Sequence, residues 1–336
     1  MIITIIGAGD MGSAMSVPAR YNGHETRLVG THLDRDVIGH CRLTGAHPRV
    51  KQLPAGTAFF QIGQLGEALS GADLIINGVS SFGVDWFRDV ILPQLPPGVP
   101  VLSVTKGMLD QPDGTLLTFP ELYERADPSR AFCAVGGPCT SYEMMCGDPT
   151  TVCYCGRDET LLRHLKSLLQ TPFYHIAVST DVRGVECAVA MKNAYALAVC
   201  LAVGLAEQRD GKQHYNSQAA LFGQSIKEMR TLLGLCGGHD DNIVYGAGDL
   251  YVTVYGGRTR KIGTLLGHGV LFDEAMAQLS GTTLESHVIA MRTARAVRRL
   301  IALGQASAAD FPLLLHIDDI ISHGAPVNIP WPAFVE

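Results

Sequence analysis

Residues 2–13 read Ile2-Ile3-Thr4-Ile5-Ile6-Gly7-Ala8-Gly9-Asp10-Met11-Gly12-Ser13. A short β-rich run, three glycines at Gly-x-Gly-x-x-Gly spacing and a helical pattern over Ser13–Arg20 are the sequence form of a strand–turn–helix that binds a dinucleotide. Gly7 makes the tight turn, Gly9 lets backbone approach a pyrophosphate, and Gly12 lets helix and strand pack closely. The helix N-terminus then offers N–H groups and a partial positive charge to phosphate. A tight turn that binds nothing is the other reading, and the agreement of strand, turn, helix and position weighs against it.

Outward from this turn, short β-rich runs recur at Ile2–Ile6, Thr26–Gly30, Asp73–Gly78, Val101–Thr105, Phe132–Val135 and Thr151–Tyr154, with Phe173–Ile176 closing the series. Helical patterns lie between several of them, at Met11–Tyr21, Val84–Leu95 and Glu159–Leu169. Near-continuous apolar strands alternating with helices predict an α/β fold, a doubly wound (Rossmann) parallel sheet covered on both faces. From about residue 181 the pattern becomes all-helical, clearest at Val185–Ala206, Gln218–Leu233, Thr282–Leu303 and Asp310–Ser322. Glycines at 237–238, 246–248 and 256–257 are read as the breaks between helices. The expected organisation is a dinucleotide-binding domain over 1–180 and a helical substrate domain over 181–336, with the active site in the cleft between them.

Bulk properties narrow the function. A chain of 336 residues, 47% hydrophobic and 17% charged, has the composition of a compact soluble enzyme. Its net charge of −6 gives no electrostatic reason to bind nucleic acid or an anionic membrane, so an anionic substrate needs a local basic site. Nine cysteines without a Cys-x-x-Cys pair suit reduced thiols in the cytoplasm, and Cys236 with His239 makes only half a metal site, so no metal is expected. The apolar stretch Cys187–Ala206 is long enough to span a bilayer, but Lys192 and Asn193 near its middle favour a buried core helix. No basic region precedes the apolar start at Met1–Ile6, so no signal peptide is expected.

Four places carry candidate chemistry. The second strand ends near Gly30-Thr31, where an acid would hold the adenine-ribose hydroxyl of NAD; Thr31 stands there, with His32, Asp34 and Arg35 close by, and NAD and NADP both stay open. Lys192 lies in an apolar helix, either snorkelling to the surface or lining a cleft as a proton donor and acceptor for a carbonyl–alcohol pair. Gly246-Ala247-Gly248-Asp249 is read as a turn ending in a carboxylate. The segment Tyr255-Gly256-Gly257-Arg258-Thr259-Arg260-Lys261 is either an anion clamp or a solvated basic loop. Lys106 follows a strand directly and so sits at the carboxyl edge of the sheet, where ligands bind in such folds.

In order along nearly the whole chain, these motifs resemble the NAD(P)-dependent glycerol-3-phosphate dehydrogenase family. The residues that carry the resemblance are the glycine turn, Ser103-Val104-Thr105-Lys106-Gly107, Gly137-Pro138-Cys139-Thr140-Ser141-Tyr142-Glu143, Gly184-Val185-Glu186, Met191-Lys192-Asn193, Gly246–Thr253, Tyr255–Lys261 with Gly263 and Leu265-Leu266-Gly267, and Glu285. The resemblance implies Lys192 as the acid/base of hydride transfer, with Asp249 and Lys106 beside the reacting carbonyl. It implies substrate contacts at Gly137, Cys139, Asn193, Thr253, Arg258 and Thr259. Dinucleotide contacts are implied at Gly7, Gly9, Asp10, Met11, Gly12, Thr31, Phe82, Ser141, Arg258, Thr283 and Glu285, and a homodimer through the helical domain is implied as well. The chain departs from the family pattern at Thr259, where asparagine is usual, at Cys139, at Gln218 in place of a lysine, and in the stretch Glu207–His214.

The expected reaction is oxidation of the secondary alcohol of glycerol 3-phosphate, or a close anionic analogue, with NAD or NADP. The Arg258-Thr259 change keeps a second reading open, a hydroxyacid or opine-type dehydrogenase that recognises a carboxylate. A third, an idle nucleotide sensor, is opposed by the retained Lys192, Asp249 and Arg258.

Overall fold

The computed structural model describes residues 1–280 and 284–335. They divide into two compact units, one of residues 1–106 and 119–182, the other of 107–118 and 183–336.

In the first unit, β1 (Ile2–Ile6), β2 (Glu25–Val29), β5 (Thr57–Phe60), β6 (Leu74–Asn77), β7 (Val101–Ser103), β10 (Phe132–Gly136), β11 (Thr150–Cys155) and β12 (Tyr174–Ser179) form an 8-stranded sheet. Its order is β12-β11-β10-β7-β6-β1-β2-β5. From β5 to β10 every pair is parallel, with β1 between β2 and β6, so the strand order reverses at the β1–β6 boundary. That reversal is where a doubly wound sheet opens a crevice for ligand. The sheet is not wholly parallel: β11 runs antiparallel to β10 and β12 follows β11. A hairpin, β3 (Ala46–His47) with β4 (Lys51–Gln52), precedes β5.

Strand interiors are buried on both faces, including all of Leu74–Asn77, as the unbroken apolar runs require. Helices α1 (Asp10–Ala14), α2 (Ser16–Tyr21), α3 (Arg35–Thr44), α4 (Leu65–Leu69), α5 (Val84–Trp86), α6 (Phe119–Ala126), α7 (Ser141–Cys146) and α8 (Glu159–Leu169) accompany the sheet. The helix expected over 11–21 is broken at Met15, ahead of Pro18, a residue with no N–H to donate. The helix expected over 84–95 is α5, then a π-helical turn (Phe87–Ile91) and a 3-10 turn (Leu92–Gln94) that carries Pro93.

The second unit begins with a hairpin, β8 (Met108–Asp110) and β9 (Leu116–Thr118). Helices α9 (Val182–Asp210), α10 (Tyr215–Leu235), α11 (Ile243–Val254), α12 (Gly257–Gly267), α13 (Phe272–Gln278), α14 (Ser286–Ala302) and α15 (Pro312–His323) follow. Arg295 on α14 grips Asp110 with two bonds of 2.8 and 2.9 Å, and Arg292 donates to the Met108 carbonyl, so the hairpin is tied to this unit. The apolar helix α9 is the centre of the core: 83% of its most apolar window is buried. Glu228 of α10, itself buried, accepts the N–H groups of Leu313 and Leu314 and so caps α15, with Tyr195 and Gln224 as further donors. Burial raises its carboxyl pKa in spite of those four donors.

One expectation about this half is overturned. The glycines at 246–248 form no turn; they lie inside α11. A Cβ on Gly246 would stand 2.6 Å from the Ala188 carbonyl oxygen, so this glycine lets α11 press directly on the backbone of α9. Likewise Arg258–Lys261 is not a loop but the first turns of α12.

Candidate active site

The nucleotide end is built from three backbones that nearly touch. A Cβ on Gly12 would fall 2.3 Å from the Gly7 carbonyl oxygen, and one on Gly7, at φ +108°, would fall 2.7 Å from the Gly78 carbonyl carbon. The turn after β1 is therefore wedged against the residue that follows β6. Gly9 differs, because a Cβ there would meet only the Gly78 carbonyl oxygen at 3.8 Å and otherwise open space. The chain thus leaves an uncovered cradle beside Gly9, and the first turn of α1 has no side-chain cap. This is the room and the donor set that a dinucleotide pyrophosphate fits.

Around this cradle the other expected residues are spread. Asp10 and Met11 open α1. Phe82 sits in the turn after β6 and is 56% exposed, and Ser141 opens α7. Thr31 follows β2 as expected, but it does not stand alone. Asp34 turns back to accept the Thr31 N–H and hydroxyl, both at 2.8 Å, and the Ala8 N–H at 3.2 Å. Position 31 itself carries no acid; the fold brings one there from three residues further on. Thr283 lies outside the described residues.

The carboxyl edge of the sheet is cross-linked by small polar groups. Asn77, at the end of β6, donates to Ser103 and to the Tyr123 hydroxyl, and the Thr105 hydroxyl donates to the Val79 carbonyl at 2.7 Å. Lys106 Nζ then donates to the Gly137 carbonyl at 2.8 Å, where Gly137 adopts φ +102° just past β10. Lys106, Gly137 and the half-buried Cys139 therefore lie at the ends of adjacent strands β7 and β10. Asn77, which no sequence motif marks, ties the end of β6 to the end of β7 and to α6.

The pairing of Lys192 lies in the second unit. Lys192 on α9 donates to Asp249 Oδ1 on α11 at 2.6 Å. The helix contact explains the pairing: Gly246 meets α9 at Ala188, and one turn further on each helix Lys192 meets Asp249. Asp249 is 1% exposed and the Lys192 side chain 15%, so the acid is enclosed and the lysine is partly accessible. Lys192 thus stands in the second unit as an ammonium paired with an enclosed carboxylate. The half-buried Asn193 follows it, and the Thr253 hydroxyl, one turn beyond Asp249, donates to the Asp249 carbonyl at 2.7 Å.

Arg258 and Thr259 occupy the first turn of α12 after Gly256, which gives no side-chain cap. Arg258 is exposed and has no partner among the described residues, whereas Arg260 caps α11 through the Val254 carbonyl. The position of α12 is fixed by Gly263 and Gly267, where a Cβ would come within 2.5 Å of Cys200 Cβ and 2.3 Å of the Leu201 carbonyl oxygen on α9. An exposed guanidinium without a partner among the described residues, a hydroxyl and helix N-terminal N–H groups are thus the donors this turn could offer an anion. Glu285 sits at the N-cap position of α14 in the same unit.

Comparison with known proteins adds the lineage. A family profile described as the NAD-dependent glycerol-3-phosphate dehydrogenase N-terminus matches residues 2–162, and the corresponding C-terminus profile matches 181–330. The NADP(+)-dependent glycerol-3-phosphate dehydrogenase of Archaeoglobus fulgidus is 35% identical over 283 residues, covering 83% of this chain and 84% of that protein. A glycerol-3-phosphate dehydrogenase [NAD(P)+] of Koribacter versatilis is 29% identical over 333 residues, 96% of this chain and 93% of the other. The crystal structure of the Coxiella burnetii glycerol-3-phosphate dehydrogenase shares the fold, with a TM-score of 0.79 at 23% identity over 99% of this chain and 97% of that one. A ketopantoate reductase from Ralstonia eutropha shares it more loosely, with a TM-score of 0.59 at 16% identity over 96% and 99%.

Proposed function

We propose, from the premise that this chain belongs to the NAD-dependent glycerol-3-phosphate dehydrogenase family, that it oxidises the secondary alcohol of glycerol 3-phosphate to dihydroxyacetone phosphate and runs the reverse reduction. It is an NAD(P)-dependent dehydrogenase acting on CH–OH. The bound dinucleotide supplies the hydride acceptor or donor; the chain supplies binding, orientation and the proton. The observation that carries the mechanism is the Lys192–Asp249 pair at 2.6 Å.

In the direction of reduction, Lys192 holds a proton on Nζ and gives it to the substrate oxygen as charge develops there; in oxidation it takes the hydroxyl proton. Asp249, enclosed and bonded to Nζ, aims the amine and keeps an anionic partner for it when it is protonated. Lys106, held by the Gly137 carbonyl, is the second cation beside the reacting oxygen, with Cys139 along the substrate edge. Arg258, Thr259 and the first N–H groups of α12 take the phosphate, a dianion that arginine suits. Asn193 and Thr253 complete the substrate contacts. Gly7, Gly9, Gly12, Asp10, Met11, Thr31, Phe82, Ser141 and Glu285 are assigned to the dinucleotide. In this division of labour the domain over 1–180 carries most of the cofactor contacts together with Lys106 and Cys139, and that over 181–336 holds the proton and most of the substrate contacts.

A homodimer through the helical domain, which the family resemblance supports, and a cytoplasmic location, which nine free cysteines support, complete the proposal. The carboxylate-recognising alternative is not favoured, since the relatives found by sequence are glycerol-3-phosphate dehydrogenases. The deciding assay follows reduced nicotinamide while the purified protein meets glycerol 3-phosphate, 2-hydroxy acids and opine-type substrates with each cofactor. Turnover confined to the phosphorylated alcohol is expected. Turnover confined to a carboxylated substrate contradicts the proposal.

A further inference from the structure

Away from the residues assigned to the reaction, the first unit brings a nucleophile and a cation together at an exposed place. Cys146, the last residue of α7, is the one exposed cysteine among the described residues. The other eight are buried or half-buried, and burial pushes the Cys133 and Cys200 thiols up to about 12. Lys51, the first residue of β4, donates through Nζ to Cys146 Sγ at 3.4 Å. The same Nζ stands 4.3 Å from the centre of the Tyr142 ring, one turn earlier on α7. Its bonds to Tyr142 and to the sulfur raise the lysine pKa, so it is an ammonium that meets the sulfur.

The backbone under Lys51 is unusual. Its φ is +81°, and among the described residues no other non-glycine residue has a positive φ. Such an outlier persists only where its surroundings hold it. The hairpin of β3 and β4 is held at its other strand by His47, which is buried with Nε2 3.0 Å from the Ala8 carbonyl oxygen. Burial lowers the His47 pKa, and its Nδ1 accepts the N–H groups of Arg49 at 3.1 Å and Val50 at 3.3 Å. Arg49 in turn donates from Nε to Asp10 Oδ1 at 2.7 Å. The hairpin is therefore a strap from the glycine turn to α7, and the contact of Lys51 with Cys146 is its far fastening.

We propose that Lys51 and Cys146 are a modification site at which hydrogen peroxide makes a covalent, thiol-reversible N–S crosslink between the hairpin and α7. The thiolate is the nucleophile in such oxidations, and the ammonium already donating to the sulfur balances its charge. Sγ forms a bond to one peroxide oxygen as the O–O bond breaks, and the departing hydroxide takes a proton from Lys51 Nζ and leaves as water. Sulfur is oxidised to the sulfenic acid, peroxide is reduced, and Lys51 is left as a neutral amine beside an electrophilic sulfur. Nζ then attacks Sγ: the N–S bond forms, the S–O bond breaks, and the hydroxide leaves with a proton from nitrogen as a second water. One thiol, one amine and one peroxide thus give one sulfenamide and two waters, a condensation that sulfenic acids undergo with nitrogen. The flexible four-carbon stem of lysine supplies the small movement needed. The site shares no residue with the proposed hydride-transfer machinery.

The test uses the full-length chain, reduced and then exposed to hydrogen peroxide, with intact mass, peptide mapping and thermal melting as readouts. A product lighter by about 2 Da, the two hydrogens lost, is expected, with mapping that joins Lys51 to Cys146. Dithiothreitol is expected to restore the starting mass. Because the link joins residues 95 positions apart, the linked chain is expected to melt at a higher temperature than the reduced one. Cys146→Ser is expected to lose the product. Lys51→Arg keeps a cation beside the sulfur but no amine that can become neutral, and is expected to stop at a sulfenic acid that dimedone traps. A Cys146 that peroxide leaves unchanged, carries to sulfinic acid without a link to Lys51, or turns into a disulfide overturns the proposal. The same mass loss surviving in Lys51→Arg overturns it as well.

Discussion

Glycine does two different jobs in the two units. In the first, Gly7 adopts a backbone angle that side chains rarely tolerate, and Gly12 closes a backbone-to-backbone contact inside a turn. In the second, Gly246, Gly263 and Gly267 keep ordinary helical geometry and serve only to let α11 and α12 reach the backbone of α9. The first job folds the glycine turn against the residue after β6; the second brings Asp249 to Lys192 and fixes the turn that carries Arg258. The same residue type thus builds both ends of the proposed reaction, by conformation at Gly7 and by the absence of a side chain at Gly12 and at the three helix glycines.

Substitutions separate these jobs. The largest effect is expected from Gly12→Ala, whose methyl would lie 2.3 Å from the Gly7 carbonyl oxygen. Moving the turn aside costs about 1–3 kcal/mol by the usual scale of overpacking and removes dinucleotide binding, read by calorimetric titration and thermal melting together. Next is Gly246→Ala. It is expected to lower stability by a similar ~1–3 kcal/mol and to cut kcat, because α11 withdraws from α9 and the ion pair lengthens, while cofactor affinity stays within about twofold (~0.4 kcal/mol). Should Gly246→Ala weaken the cofactor as much as Gly12→Ala does, the two jobs are not separate.

Smaller effects sharpen the contrast. Gly9→Ala meets only one protein atom within 4 Å, so melting is expected to stay within about 0.5 kcal/mol of the natural chain, a typical surface change. Dinucleotide Kd is nevertheless expected to rise at least about tenfold (~1.4 kcal/mol), since the methyl enters the cradle. Gly223→Ala in α10 is the control. Nothing stands within 4 Å of its Cβ, and alanine is the better helix former by about 1 kcal/mol, so a slightly higher Tm with unchanged kinetics is expected. A destabilised Gly223→Ala contradicts the reading of helix glycines as packing devices.

The same contrast explains what could be read from the chain in advance. The strand Ile2–Ile6 and its glycine turn are local, each residue's task being met within a dozen positions, and the helices Glu159–Leu169 and Val182–Asp210 announce themselves by apolar pattern. Lys192 stood out because an ammonium in an apolar helix needs a reason. Gly246 was misread as a turn because its reason is the Ala188 carbonyl, 58 positions earlier. Asp34 is visible beside the strand end, but its bonds are not: the carboxylate turns back to the Thr31 N–H and hydroxyl and to the Ala8 N–H, 26 positions earlier, instead of capping its own helix. His47 and Arg49 gave no sequence signal either, since a buried histidine bonded to the glycine turn is visible only once β3 and β4 pair. The hairpin Met108–Thr118 belongs with the helices through Arg292 and Arg295, pairings that no local pattern carries. Local shape was legible; side chains that work across long separations were not.

The central claim is that Lys192, aimed by Asp249, moves the substrate proton. It is tested most directly by single-turnover kinetics of Lys192→Ala and Asp249→Asn with glycerol 3-phosphate at saturating cofactor, across a range of pH. The hydride-transfer rate is expected to fall by about 10²–10⁴-fold in Lys192→Ala, with a smaller loss and a shifted pH profile in Asp249→Asn and unchanged cofactor Kd in both. A Lys192→Ala variant that transfers hydride at the natural rate would contradict it.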